Sequence, residues 1–579
     1  MSGSWCFKHQ KNHVFLKISP RMCDKHSTPL SCILASSNRL VQVVQHTTKT
    51  VKMEKLRLAS IFLCLCSVST YAGRAGPAIL ASKGAIWPKP QLQNVSEDYF
   101  VLLPRAFAFK ASNSCSFLTS ALERYWDLLQ QNSARLNQKL AKFSEQTGGF
   151  LGYLGELEVN LRGACVDDEY PSLSMDESYQ LWITASRAEL QSETIWGVLR
   201  ALETFSQLIY LGEDGLTLRL NATTIQDFPR FKHRGLLLDT SRHFLPLESI
   251  LQTLDALAYN KMNVFHWHIV DDESFPYVSQ RFPELSRLGA YNPHTKVYTP
   301  ENIQTVIEYA RLRGIRVLPE FDTPGHTSSW GLAHPELLTP CDQLKTSGPM
   351  DPSREETFEF LQSLFSELRG VFKDEFIHLG GDEVDFSCWR QSENISNLMK
   401  DLNISSYEGV ESYYVQKVVD MAEGLDYKQI VWEEVFSNGV HLGNHTLVHV
   451  WKSWTDTIRE VTSAGKQALL SACWYLDQLA SGGDWTDFYL CDPMDFDGTP
   501  EQQERVLGGE ACMWGEVVNE YNIISRTWPR ASATAEKLWS APSGTYKLDE
   551  PSSRLEEHTC RMNRRGIGAQ PPNGAGFCD

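Results

Sequence analysis

From Phe231 onward the chain repeats one arrangement eight times, a short apolar or β-branched run followed by a segment of different texture. The runs are RGLLLDT, MNVFHWHIV, GIRVLPEFD, EFIHLGGDE, QIVWEEVF, TLVHVW, QALLSACWY and VLGGEACMWGE. Between several of them lie stretches such as ESILQTLDALAYN and PENIQTVIEYARLRG, whose apolar residues fall at i, i+3 and i+4, the period of a helix with one buried face. Eight strand-then-helix units are what a closed (β/α)8 barrel, the TIM barrel, requires. An open doubly wound sheet is the alternative; the count of runs and the length of residues 230–579 favour the barrel. Residues 86–229 mix strand-like YFVLL, SYQLWIT and LTLRL with helical stretches around Ser120–Leu129 and Thr194–Leu211, which predicts a smaller α/β domain ahead of the barrel. No chemistry is concentrated in that part, so its expected role is structural or dimer-supporting.

With 579 residues, 42% apolar and 11% aromatic, the chain can fill two domains. A net charge of -17 without any Lys/Arg stripe argues against a nucleic-acid partner. The segment MEKLRLASIFLCLCSVSTYAG has the form of a secretory signal: basic Lys55 and Arg57, an apolar stretch from Ala59 to Val68, and small residues near Ala72. Residues 53–75 therefore read as a signal peptide and residues 1–52 as a disordered upstream extension. The apolar stretch is too short to span a bilayer, and no longer one follows, so no membrane span is expected. Past the signal stand Cys115, Cys165, Cys341, Cys388, Cys473, Cys491, Cys512, Cys560 and Cys578, an odd number that leaves at least one thiol unpaired or paired between chains. A secretory route permits bridges, which spacing alone does not assign. Glycosylation sequons begin at Asn94, Asn221, Asn394, Asn403 and Asn444.

Nearly every run ends in residues that a bare core would not select: Arg242, Asp271 with Asp272, Asp322 with His326, Asp382 with Glu383, Trp432 with Glu434, Trp451, Trp474 with Tyr475, and Trp514 with Glu516. In such barrels the C-terminal strand ends build the active site. Acids, one Arg and several Trp residues converging there describe a pocket for a neutral, hydroxyl-rich ligand with flat apolar faces, which is a sugar. In HLGGDEVDF two carboxyls stand side by side where the run breaks at Gly380-Gly381. Glycoside hydrolysis uses paired carboxyls, ordinarily about 5–10 Å apart on separate elements. Adjacent acids imply that one touches the substrate without serving as nucleophile. His266-Trp267-His268, with Asp271, Asp272 and His326, admits a metal reading, but the remaining ligands have no source and hydrogen bonding to carboxylates serves as well. No metal or cofactor is expected. Cys512 reads as a buried inert thiol, and Pro324-Gly325-His326 as a turn or a contributor to the site.

The motifs HLGGDEVDFSCW, LLLDTSRHFLP, NVFHWHIVDDESFPY, RVLPEFDTPGHTSSWG, VWEEVF, GGEACMWGE and WPRASATAEKLW resemble those of the animal lysosomal β-N-acetylhexosaminidases, over essentially Trp87 to Cys578. The resemblance implies an N-terminal α/β domain, a catalytic barrel, and retaining removal of terminal β-linked GlcNAc and GalNAc from glycolipids, glycoproteins and glycosaminoglycan fragments. It also implies a substrate-assisted mechanism in which the 2-acetamido oxygen attacks the anomeric carbon and forms an oxazolinium. Asp382 then orients the acetamide, Glu383 is the proton carrier, and Tyr475 donates to the acetamide oxygen. Arg242 and Glu516 bind sugar hydroxyls, Trp432, Trp451 and Trp514 wall the pocket, and Asp271 and His326 tune the acid. By the same resemblance the bridges are Cys115 with Cys165, Cys341 with Cys388, and Cys560 with Cys578. The implied partners are a second copy or a paralogous subunit and a glycolipid activator protein, and the implied location is the lysosome.

Two positions depart from the pattern. Trp432-Glu433-Glu434 stands where the family has WQEVF. Asp477-Gln478 stands where the α-type subunit carries an Asn-Arg pair that favours anionic substrates, so neutral termini are the expected substrates. A carbohydrate-binding pseudoenzyme and a metal-dependent barrel hydrolase are the rival readings; intact Asp382, Glu383 and Tyr475 count against the first.

Overall fold

The computed structural model describes residues 76–134, 148–341, 347–478, 483–542 and 547–578, so the expected extension and signal peptide lie outside the described residues. Residues Pro77–Asp579 make one compact unit with two sheets at its heart.

The first sheet contains β1 (Leu92–Leu102), β2 (Ala108–Ala111), β3 (Phe150–Leu154), β4 (Glu156–Leu161), β5 (Tyr179–Thr184), β6 (Arg187–Ser192), β7 (Tyr210–Leu211) and β8 (Leu218–Asp227). Their order is β2-β4-β6-β5-β8-β1-β3, with β7 added beside β8. Alternation in Tyr179–Thr184, buried at every second residue, turns one face of β5 inward. Against the sheet pack α1 (Ser116–Ala134) and α2 (Ile195–Gln207). The helix expected over Thr194–Leu211 is shorter than its apolar run. Thr194 caps it by accepting the Gly197 N–H at 3.2 Å. Tyr210–Leu211 leaves the helix to pair with Arg219 and Leu218.

The second sheet is a closed, all-parallel barrel. It runs β9 (His233–Asp239), β10 (Val264–Val270), β11 (Arg316–Phe321), β14 (Phe376–His378), β15 (Lys428–Trp432), β16 (Leu447–Val450), β17 (Gln467–Leu470), β18 (Val506–Met513) and back to β9. A two-stranded hairpin, β12 (Leu338–Pro340) with β13 (Ser347–Met350), follows β11. All eight expected runs contain a barrel strand. The run QALLSACWY is strand only to Leu470, and Trp474 packs in the following loop with its indole donating to the Phe488 carbonyl at 3.0 Å. Trp474 is wholly buried core and offers no sugar platform.

Buried charges join sheet and barrel. Glu177 accepts from Arg200 of α2 at 2.8 Å and from Arg234 of β9 at 2.6 Å. Asp227 at the end of β8 accepts from Lys261 at 2.8 Å and from the Tyr179 hydroxyl at 2.6 Å. Disulfides link Cys115–Cys165, Cys341–Cys388, Cys473–Cys491 and Cys560–Cys578, and among the described residues Cys512 is a free, buried thiol. Among the described residues no helix is long and apolar enough to cross a membrane.

Candidate active site

The turn after β14 is built around Asp322. A Cβ at Gly380 would lie 1.6 Å from Asp322 Oδ1, and φ there is +68°, so glycine is required twice over. Gly381, at φ +97°, donates its N–H to the same oxygen at 2.8 Å. The chain thus wraps over the Asp322 carboxyl and leaves with Glu383 at φ +51°. Its two acids emerge into unlike surroundings. Asp382 is 8% exposed, with a buried Oδ1 that has no protein partner. The Glu383 side chain is 57% exposed. It borders a cavity of about 430 Å³ whose wall includes Asp272, His326, Ser328, Gly348 and Asp385.

His326 holds the centre of this group. Its Nδ1 lies 3.1 Å from Asp271 Oδ1, and its Nε2 lies 3.8 Å from Asp382, 4.0 Å from Glu383 and 4.0 Å from Asp322. Although burial opposes the charge, Asp322, Asp271 and Asp382 push the imidazole up to about 11. Burial and the neighbouring Asp382 charge hold the Asp322 carboxyl well above the usual carboxylate range. Asp271 goes the other way: against its burial, hydrogen bonds from His268 and His326 hold it well below. Arg242 binds Asp271 at 2.8 Å and Asp239 at 3.1 Å. Asp239 also accepts the Gly515 N–H at 2.9 Å, which fixes the Arg242 turn against the loop after β18.

An aromatic cluster stands across from these charges. Trp451 stacks on Tyr475 at 6.1 Å, Tyr475 lies 6.5 Å from Trp514, and Trp514 lies 6.1 Å from Trp432. The Arg242 guanidinium sits 5.3 Å over the Trp514 ring. Trp451 donates its indole N–H to Glu434 at 3.0 Å. Trp432 is only 1% exposed, so it supports the other rings and presents no free face of its own. Near Tyr475, burial and the Glu516 charge raise the Asp477 carboxyl to about 6. Glu516 and Gln478 are exposed.

Glu320 carries no signal in the sequence and His268 enters there only through the metal reading, yet both lie against the site. His268 bridges Asp271 and Glu320 at 2.7 and 2.6 Å, and Glu320 also accepts the Trp432 indole N–H at 2.9 Å. Asp271, Asp272 and His326 of the metal reading together could hold a cation, as could His266, Glu320 and His378, or His266, His449 and Glu510, or Asp322, His326 and Asp382. The nitrogens of His268 are instead committed to carboxylates.

Such a constellation, two adjacent acids, a charged imidazole and an aromatic wall at one end of a (β/α)8 barrel, can move a proton at a sugar bound between acids and rings. Residues 231–542 match the family model described as glycosyl hydrolase family 20, catalytic domain, and residues 86–208 match one described as beta-acetyl hexosaminidase like. The chain belongs to glycosyl hydrolase family 20. It is a glycoside hydrolase of the exo-β-N-acetylhexosaminidase type. It is 46% identical over 510 residues to the beta-hexosaminidase subunit alpha of Rattus norvegicus, covering 86% of this chain and 95% of the relative. It is 45% identical over 522 residues to the human beta-hexosaminidase subunit beta, covering 88% and 92%. Among solved structures, a chitobiase of Flavobacterium johnsoniae superposes with a TM-score of 0.72 at 30% identity, covering 83% of this chain and 73% of that one.

Proposed function

We propose that the enzyme removes terminal β-linked GlcNAc and GalNAc from glycolipids, glycoproteins and glycosaminoglycan fragments with retention, using the substrate's own 2-acetamido oxygen as nucleophile. The observation that carries this reading is the division of labour between adjacent carboxyls, one buried with a spare oxygen and one facing open space. Asp382 accepts the acetamide N–H and stabilises the positive charge that develops as the oxazolinium forms, a task suited to a fixed carboxylate shielded from water. Glu383 gives its proton to the leaving oxygen and later takes one from the incoming water. The cavity beside Glu383 then receives the leaving group. Tyr475 donates to the acetamide oxygen, Arg242 and Glu516 bind ring hydroxyls, and Trp451 and Trp514 line the pocket with Trp432 behind them. Asp271 and His326 hold the acid in place.

Residues 53–75 are proposed as the signal peptide, 1–52 as an upstream extension, 86–229 as the supporting domain and 230–579 as the catalytic one. The two family matches fall inside the last two ranges. The relatives are named subunits alpha and beta, which supports a homodimer or a pairing with a paralogous subunit. A glycolipid activator protein and delivery to the lysosome complete the proposal. Asp477-Gln478 supplies no cation, which supports neutral termini as substrates. Asn94, Asn394, Asn403 and Asn444 are exposed, as glycan acceptors need to be, whereas Asn221 is held by Tyr210 at 2.7 Å and the Ser96 carbonyl at 2.9 Å.

The test compares an aryl β-N-acetylglucosaminide with the corresponding 2-hydroxy glucoside at acidic pH. Rapid cleavage of the acetamido substrate alone, reduced at least about a hundredfold in Glu383→Gln, is the expected result. Equal cleavage of both sugars would sink acetamide participation.

A further inference from the structure

One carboxylate inside the barrel is tied to both halves of the site. His268, Glu320 and His378 are in register on β10, β11 and β14. With His233, His266, His449 and Glu510 they form a wholly buried polar layer. Glu320 Oε2 accepts from His268 Nδ1 at 2.6 Å and lies 3.2 Å from His266 Nε2. Glu320 Oε1 accepts the Trp432 indole N–H at 2.9 Å and lies 3.0 Å from His378 Nδ1. Behind them, Glu510 binds His266 at 2.7 Å and His233 at 2.5 Å, and His449 binds Ser471 at 2.6 Å.

His268 faces Glu320 on one nitrogen and Asp271 on the other, with Arg242 Nη1 3.5 Å from Nε2. Between two carboxylates, each 2.6–2.7 Å away, the ring satisfies both only with a proton on each nitrogen. Burial opposes that charge, but Glu320 and Asp271 push His268 up to about 10. Asp271 in turn holds His326 at 3.1 Å, and His326 faces Asp382 and Glu383. A buried ionic layer is generally no more stabilising than the branched apolar residues that fill most barrel interiors. Its continuity with the site is therefore what needs explaining.

We propose that Glu320 is a positioning residue for the reaction: it locks His268 in the doubly donating form, so that Glu320, His268, Asp271 and His326 hold one line to the paired acids, while its other oxygen anchors Trp432 behind the aromatic wall. The inference rests on Glu383 as proton carrier. It has a signed consequence. With Glu320 replaced by a neutral group, Asp271 at 2.7 Å still holds a proton on His268, whose charge is then unbalanced behind the site and favours deprotonation of the acid, so the alkaline limb of the kcat profile moves to lower pH. Removing the His268 cation does the reverse.

The experiment measures kcat against pH on the aryl β-N-acetylglucosaminide for wild type, Glu320→Gln, His268→Gln, Glu510→Gln and Glu383→Gln. Expected are a loss of about tenfold or more in kcat for Glu320→Gln with its alkaline limb about half a pH unit lower, and a limb shifted higher in His268→Gln. Glu510→Gln, equally buried but bonded away from Asp271, keeps the wild-type limb. Should Glu320→Gln fail to fold, the direction in His268→Gln decides. Unmoved limbs in folded Glu320→Gln and His268→Gln, with Glu383→Gln inactive, would overturn the inference alone. Activity surviving in Glu383→Gln would instead remove the reading beneath it.

Discussion

Glu433 is a carboxyl whose charge the fold resists. It opens the short helix Glu433–Ser437 after β15, is 5% exposed, and has Glu434 beside it; burial and that neighbour raise it to about 7. A carboxyl raised above its unfolded value contributes stability that is complete below the unfolded pKa and is lost as pH rises through the folded one. Here the window runs from 4.5 to about 7. Below it the protonated acid is a neutral near-isostere of the glutamine that the family motif places at this position, which explains how an extra acid is tolerated beside the site. Glu433→Gln should leave the melting temperature unchanged at pH 4.5 and stabilise the protein by about 1–2 kcal/mol at pH 8. Equal stability of the two proteins at pH 8 would contradict the assignment.

At the scale of elements, the sheet and the barrel are joined by a buried ionic group. Glu177 is the carboxylate shared by Arg200 of α2 and Arg234 of β9, all three side chains at most 2% exposed. Removing one partner of a buried ionic group strands the others, so Glu177→Ala should cost about 3–5 kcal/mol by denaturant unfolding while kcat of the folded protein stays unchanged. A loss under about 1 kcal/mol would show that the joint is held by other contacts. At this scale the sequence was legible where one element suffices. Apolar runs located all eight strands, and polar strand ends picked out Arg242, Asp382 and Glu383, which the barrel brings together around Asp271 and His326. What needs two strands at once was hidden. Glu320 in VLPEF, His378 in FIHL and His449 in LVHV each read as a lone polar residue in an apolar run. Only the barrel register sets Glu320 beside His268 and His378. Cys473–Cys491 was unassigned for the same reason, since a loop folding back across 18 residues leaves no local signature.

The whole molecule stores protons that its unfolded chain would release. His266, His268 and His326 are raised to about 9, 10 and 11, in each case by carboxylates that outweigh burial. Groups raised in this way contribute stability that is fully present below the unfolded pKa of 6.5 and disappears as pH climbs through the folded values. Cys512, held up by burial, acts in the same direction. His233, His378, His449 and His558 are lowered by burial and are neutral in both states above 7, so they do not offset the trend there. The melting temperature should therefore fall by several degrees between pH 7 and pH 9, and His268→Gln should flatten that slope although it is less stable at neutral pH. A flat profile across this range in the wild type would mean that the three imidazoles give up their protons as readily folded as unfolded. Such a result would also undo the alternating line of acid and imidazole that leads from Glu320 to Glu383. The decline links stability to the same charges that surround the turn carrying Asp382 and Glu383, so a fold built on them keeps its full strength only below the unfolded imidazole value of 6.5.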